Sequence, residues 1–269
     1  MILVAAPTAS AKMRSKPASE SELAEIAARG RQLAEYDSAS WHGTDAVLAL
    51  KPDVARLGRY VARMVGGQWT VVFGRFSEKK DVFLISYEAT QINGGSDYKA
   101  VSHDPPRPDT GYYLFAARAA DKAFQEFRPK DRQYNVAVLP APKDRFYVYL
   151  MPAQTRTGVY PIGADVRYLI STDGLKIVET RRLHNSIVEF TTSGSRLSVL
   201  QFTTRTAVLD NIPEDTDVFH VLARQPAVPE LLITPKYVYL ISQDGDVNYL
   251  MTADKYKQTK VGVVTVQQD

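Results

Sequence analysis

The sequence predicts an α+β protein: N-terminal helices, then mainly antiparallel β-sheet, with one inserted helix. Three observations carry this expectation. Apolar residues near the N-terminus recur at helical spacing, the period changes to two from about residue 58, and one further helical stretch interrupts the alternating segments at residues 110–127.

Taken in order, Met1-Ile-Leu-Val-Ala-Ala-Pro-Thr-Ala-Ser-Ala11 is apolar and then small, and Ala9-Ser10-Ala11 fits an A-x-A cleavage site. It reads as the end of an export signal. Residues 1–18 are therefore expected to be disordered or a signal-peptide remnant. Export implies a periplasmic or secreted protein; the alternative is an unstructured start to a cytoplasmic one. Ser19 and Glu22 form a capping-box pattern opening a helix with an apolar stripe of Leu23, Ile26 and Leu33, running to about Tyr36. A second helical stretch through Trp41 and His42 is expected to end before Lys51-Pro52.

Strands follow at 58–64, 68–76 and 82–90, with Gly66-Gly67 as one turn and Glu78-Lys79-Lys80-Asp81 as the next connection. Residues 91–110 hold Gly94-Gly95, Pro105, Pro106 and Pro108 and read as a long loop. Thr110 is the expected cap of the inserted helix, whose buried face is Tyr113, Ala116, Ala117, Ala120, Phe124 and Phe127. Further strands are expected at 134–139, 145–151, 165–171, 175–182, 185–190, 196–204, 218–223, 230–234, 236–242, 247–252 and 261–266, with turn chemistry at Thr172-Asp173-Gly174 and Asp244-Gly245-Asp246. A boundary near residue 130 would separate a helical and three-stranded part, 19–130, from a mainly β part, 131–269.

Composition excludes several classes. The chain has no cysteine, which removes disulfides, thiolate nucleophiles and zinc ribbons. A net charge of +3, from 33 basic and 30 acidic residues, is no nucleic-acid footprint. No run of about 18 apolar residues exists to span a membrane as a helix. There is no Walker sequence or dinucleotide fingerprint, so no cofactor is expected.

Thr204-Arg-Thr-Ala-Val-Leu-Asp-Asn-Ile-Pro-Glu-Asp-Thr-Asp217 carries the strongest catalytic spacing. Residues 204 and 206 fall on one face of a strand, and an acidic residue follows eleven positions after the second. This resembles the JAMM-type metallopeptidases, whose pattern is His-x-His-Pro, six residues, Ser, two residues, Asp. The similarity covers roughly residues 165–250. Thr204 and Thr206 match the histidines, Ala207 the proline, Glu214 the serine and Asp217 the acidic ligand. Hydroxyls are poor zinc ligands, so the resemblance implies an erased metal site, a pseudoenzyme. Asp217 is then expected to cap backbone amides.

The candidate catalytic residues are His184, Asp217, His220 and Glu214, with Ser186 and Glu189 near His184 on a predicted strand. The expectation for function is a non-catalytic exported protein that binds a macromolecular partner. Tyr112, Tyr113, Tyr147, Tyr149, Tyr237 and Tyr239 could supply its binding face. The alternative is a metal-assisted hydrolase built on a noncanonical His184/Asp217/His220 site.

Overall fold

A computed structural model describes residues 14–129, 132–191, 203–207 and 209–258. The expected cleavage site at Ala9–Ala11, most of the 196–204 strand and the 261–266 strand lie outside these residues. The fold class is α+β, with five helices and fourteen strands among the described residues, mostly in antiparallel sheets. None of the described helices is long and apolar enough to cross a membrane.

The chain forms two compact units, and the division is not near residue 130. One unit joins the chain up to Arg31, Gln154–Ala164 and the chain from Arg182 onward; the second holds Gln32–Ala153 and Asp165–Arg181. The expected boundary fails because segments on both sides of it share one core. α3 (Tyr112–Phe127) packs with Val136 and Val138 of β5 (Tyr134–Ala141) and with Val148 and Leu150 of β6 (Arg145–Pro152).

In the second unit, α2 (Val54–Leu57) precedes β1 (Arg59–Val65), β2 (Gln68–Phe76), β3 (Phe83–Gln91) and β4 (Tyr98–Asp109), which form an antiparallel sheet in chain order. β4 replaces the expected 91–110 loop. Its prolines are tolerated because an edge strand need donate on one side only. The second sheet has the order β5-β6-β8-β9, with β8 (Val166–Ile170) and β9 (Ile177–Arg182). α3 contributes buried alanines at 116, 117, 119, 120 and 123, small enough for close approach to Val61, Val72 and Ile85 of the first sheet and Val148 of the second. Asp109, not Thr110, caps it: Asp109 Oδ1 accepts from Gly111 N at 3.1 Å and Leu114 N at 3.0 Å.

The two expected N-terminal helices are one helix, α1 (Glu20–Ala49), in which the division between units falls after Arg31. Its capping box forms: Glu22 Oε2 accepts from Ser19 N at 2.9 Å, and Ser19 Oγ from Glu22 N at 3.3 Å. In the second unit Tyr36 lies fully buried, its hydroxyl accepting from Ala62 N at 3.2 Å. Half-buried Asp37 follows it, and burial pushes this carboxyl up to about 6.

The first unit pairs β7 (Val159–Gly163) with β10 (Ile187–Thr191) and builds a sheet ordered β11-β12-β13-β14. β11 (Thr203–Thr206) runs parallel to β12 (Glu230–Ile233); β13 (Tyr237–Ile241) and β14 (Val247–Thr252) continue antiparallel, followed by α5 (Ala253–Gln258). The strand expected at 218–223 is instead a helix, α4 (Asp215–Ala223). Its run of apolar residues is buried on all sides, which leaves no amphipathic period to separate helix from strand. Gly30 of α1 lies against α4, where a Cβ would overlap Val218 and stand 2.8 Å from the Asp215 carbonyl oxygen.

Residues 14–18 are ordered in this unit, contrary to the expectation for 1–18. Ala18 is buried and its N–H donates to the Tyr239 hydroxyl at 3.2 Å. The Ser15 carbonyl accepts from Tyr237 Oη at 2.7 Å, and the Arg14 carbonyl from Asn211 Nδ2 at 2.9 Å.

Two outcomes follow from these contacts. Gly30→Ala should destabilise the first unit by about 1–3 kcal/mol by overpacking, despite a helix-propensity gain of about 1 kcal/mol; urea unfolding followed by far-UV circular dichroism would read the loss. For Asp37, the folded state binds more protons than the unfolded state between 3.8 and about 6, so its contribution to stability falls as pH rises through that window. Asp37→Asn should therefore stabilise the second unit at pH 7 by an amount on the order of 1 kcal/mol. That advantage should disappear below 3.8. Both tryptophans, Trp41 and Trp69, lie in this unit, so their fluorescence reports its unfolding.

Candidate functional site

Period-two alternation along β11 sends Thr203 and Arg205 to one face and leaves Thr204 and Thr206 exposed on the other. The register beside β12 sets Thr203 against Glu230 and Arg205 against Leu232. Glu230 is the acidic start of an otherwise apolar strand, and only 1% of it is exposed. Its Oε1 accepts from Arg205 Nε at 3.0 Å, and its Oε2 from Arg224 Nη1 at 2.9 Å and Thr203 Oγ1 at 3.2 Å.

α4 supplies the rest. Asp217 is at the third helical position, where the helix dipole favours a carboxylate, and its Oδ2 accepts from the N–H of the N-cap, Glu214, at 2.7 Å. Its Oδ1 accepts from Arg205 Nη2. At the other end of α4 the C-cap residue Arg224 is buried, where a cation suits the dipole. Arg224 Nη2 donates to the Val228 carbonyl at 2.7 Å and to Thr203 Oγ1 at 3.0 Å, and the guanidinium lies 5.0 Å from the Phe190 ring centroid.

His184 completes the cluster. The strand expected at 185–190 begins only at Ile187, so His184 sits in the loop between β9 and β10. Its Nε2 is 3.0 Å from Asp217 Oδ1 and 3.2 Å from Arg205 Nη1. These two contacts ask for opposite protonation of one atom. Donation to Asp217 needs a proton on Nε2, whereas acceptance from Arg205 needs a lone pair there. Glu189, near His184 in sequence, binds Arg156 at 2.7 Å on the surface.

Of the candidate residues, the fold thus brings His184 and Asp217 together and uses Glu214 as the N-cap of the same helix. His220, one turn after Asp217, is buried with its ring 5.2 Å from that of Phe219. Thr204 and Thr206, at the positions spaced like metal ligands, project to the face opposite the one that meets Asp217. Sequence reasoning missed Arg205 as a partner and missed Glu230 and Arg224 altogether. The signal for Glu230 was a carboxylate heading an apolar strand.

The electrostatics centre on Glu230. Burial pushes its carboxyl up, but the charges and hydrogen bonds of Arg205 and Arg224 outweigh burial and hold it below the ordinary 4.5. Arg224 is pushed down by burial and drawn back up by Glu230; its guanidinium stays charged. Of the six tyrosines expected to supply a binding face, Tyr113, Tyr149, Tyr237 and Tyr239 are core residues, while Tyr112 and Tyr147 are half-buried.

No family model matches the chain, and no curated protein or solved structure matches it either.

Glu230→Ala leaves two guanidinium groups, that of Arg224 fully buried, short of a carboxylate and should cost about 3–5 kcal/mol. In the wild type, the unfolded glutamate binds a proton before the folded one does. The contribution of Glu230 is therefore complete above 4.5 and lost as pH falls through the lower folded value. Urea unfolding of the two proteins from neutral to acid pH should show their stabilities converging as this contribution is lost.

Proposed function

We propose that this is a non-catalytic, exported binding protein, and that its His184/Asp217 cluster is a structural ion-pair core. The observation that carries the reading is the seat of Arg205. Its guanidinium lies among His184 Nε2, Asp217 Oδ1 and Glu230 Oε1, a nitrogen and two carboxylate oxygens of the kind that would ligate a divalent cation. A guanidinium supplies charge and donors but no open coordination position for water. Asp217 is engaged through both oxygens, which leaves it no role as a free base.

A surface for a macromolecular partner is offered by the second unit. Trp41 is 66% exposed and stacks on His42 at 5.3 Å, and His42 on Tyr98 at 6.3 Å. Exposed rings of this kind are characteristic anchors in protein interfaces. Export is supported by the small-residue cleavage pattern at Ala9–Ala11, which would leave the ordered segment from Arg14 on the mature chain.

The metal-assisted hydrolase is favoured by one fact, the 3.0 Å approach of His184 to Asp217. Zinc titration followed by calorimetry separates the readings. The wild type should take up no stoichiometric zinc. Thr204→His combined with Thr206→His should add no site that depends on Asp217, because the new imidazoles face away from it. Stoichiometric zinc in the wild type, lost on His184→Ala, would overturn the non-catalytic reading.

A further inference from the structure

The second unit contains an open cleft of about 360 Å³. Its walls are the β2–β3 connection, the outer face of α3 and the β8–β9 turn, and they carry four cations: Lys79, Lys80, Arg118 and Lys122. The one carboxylate there, Asp121, is already ion-paired with Arg59. Arg118 and Lys122 are four apart on α3, so two like charges share one helix face, an arrangement that is unfavourable without a counter-charge.

The cleft is built, and not merely a scatter of surface lysines. Arg118 Nε donates to the Lys80 carbonyl at 3.1 Å, which fixes the guanidinium in the cleft and ties the hairpin connection to the helix. Gly174, at φ +76°, lets the β8–β9 turn lie directly on α3, where a Cβ would stand 2.8 Å from Arg118 Cβ. That close approach positions Leu175, 53% exposed, as an apolar flank beside the cations.

We propose that this cleft is an anion site for a small phosphomonoester. The surplus of cations suits a dianion better than a single carboxylate, and charge-assisted hydrogen bonds from lysine and arginine are the usual means of holding phosphoryl oxygens. The volume falls within the usual range for small-molecule sites, roughly 300–1,000 Å³. It leaves room for an organic group against Leu175 and Phe76 beside the phosphate. The inference is independent of the ion-pair core in the first unit and holds whether or not that unit is catalytic.

Isothermal titration of the full chain with phenyl phosphate tests it, with inorganic phosphate as competitor. A parallel arm uses phosphatidylcholine vesicles doped with phosphatidic acid. Saturable binding of phenyl phosphate is expected, displaced by inorganic phosphate. Lys79→Ala combined with Lys122→Ala should weaken it about tenfold or more. Lys255→Ala with Lys257→Ala, a basic pair outside the cleft, should leave it unchanged. Binding to the doped vesicles alone, with the same dependence on Lys79 and Lys122, would assign the phosphoryl group to a lipid headgroup. Absence of saturable binding to either probe at millimolar concentration overturns the proposal. So does equal weakening by the two double variants. Tryptophan fluorescence confirms that the second unit, which holds the cleft, is folded in each variant.

Discussion

The half-buried guanidinium of Arg205 is the constraint on which the first unit depends. It links β11 to β12 through Glu230, reaches the start of α4 through Asp217, and contacts the β9–β10 loop through His184. β11 is four residues long and reads Thr-Thr-Arg-Thr, so hydrophobic pattern says almost nothing about its register. A slip by one residue would turn Arg205 to the exposed face and bring a threonine to the carboxylates. Each buried charge left alone costs several kcal/mol. The wrong register is therefore penalised by charges left unpaired on both sides, and the ion pairs specify what apolar packing leaves open.

The same accounting bears on chemistry. Two guanidinium groups face two carboxylates, and the second arginine, Arg224, closes the far side through Glu230, Thr203 and the Val228 carbonyl. An active site keeps some of its capacity unspent, as an open coordination position, a base with a free lone pair or a donor aimed at empty space. Here Asp217 caps its own helix with one oxygen and holds Arg205 with the other. Nearness of a histidine and an aspartate is thus weak support for catalysis when both are engaged by a third group. The decisive quantity is the state of the lone pairs, not the distance.

Much of the architecture is legible in the sequence because it rests on local rules. The alternation of β2, β3, β5 and β6, the Ser19/Glu22 capping box and the apolar face of α3 are written in adjacent residues. What escapes is set by distant context. α4 reads as a strand because its side chains are buried all round, and β4 reads as a loop because its prolines make sense only at a sheet edge. The boundary near residue 130 fails for a similar reason: Gln154–Ala164 leaves one unit for the other and returns, and no composition shift marks a segment of eleven residues. At the site, Asp217 and His184 are visible as isolated candidates. Arg205 looks in sequence like a charge that repels a cation, and only the fold makes it the cation.

The two units also differ in how they treat charge, and that difference bears on where the proposed binding would take place. In the first unit the charges of the core are matched internally and nearly removed from solvent, with Asp217, Glu230 and Arg224 each no more than 1% exposed. Such a network has little surplus to offer; although the buried Arg224 Nε has no hydrogen-bond partner, most of the network's energy is already used in holding strands and helix in register. In the second unit the cations of the α3 cleft outnumber its one carboxylate beside an apolar flank, and a tryptophan stands two-thirds exposed. Folding alone does not require either feature, since like charges on one helix face and an exposed indole both work against it. Surplus charge and unburied aromatic surface are where a binding protein keeps free energy for its ligand. On that physical ground the proposed recognition is assigned to the second unit and structural cohesion to the ion pairs of the first.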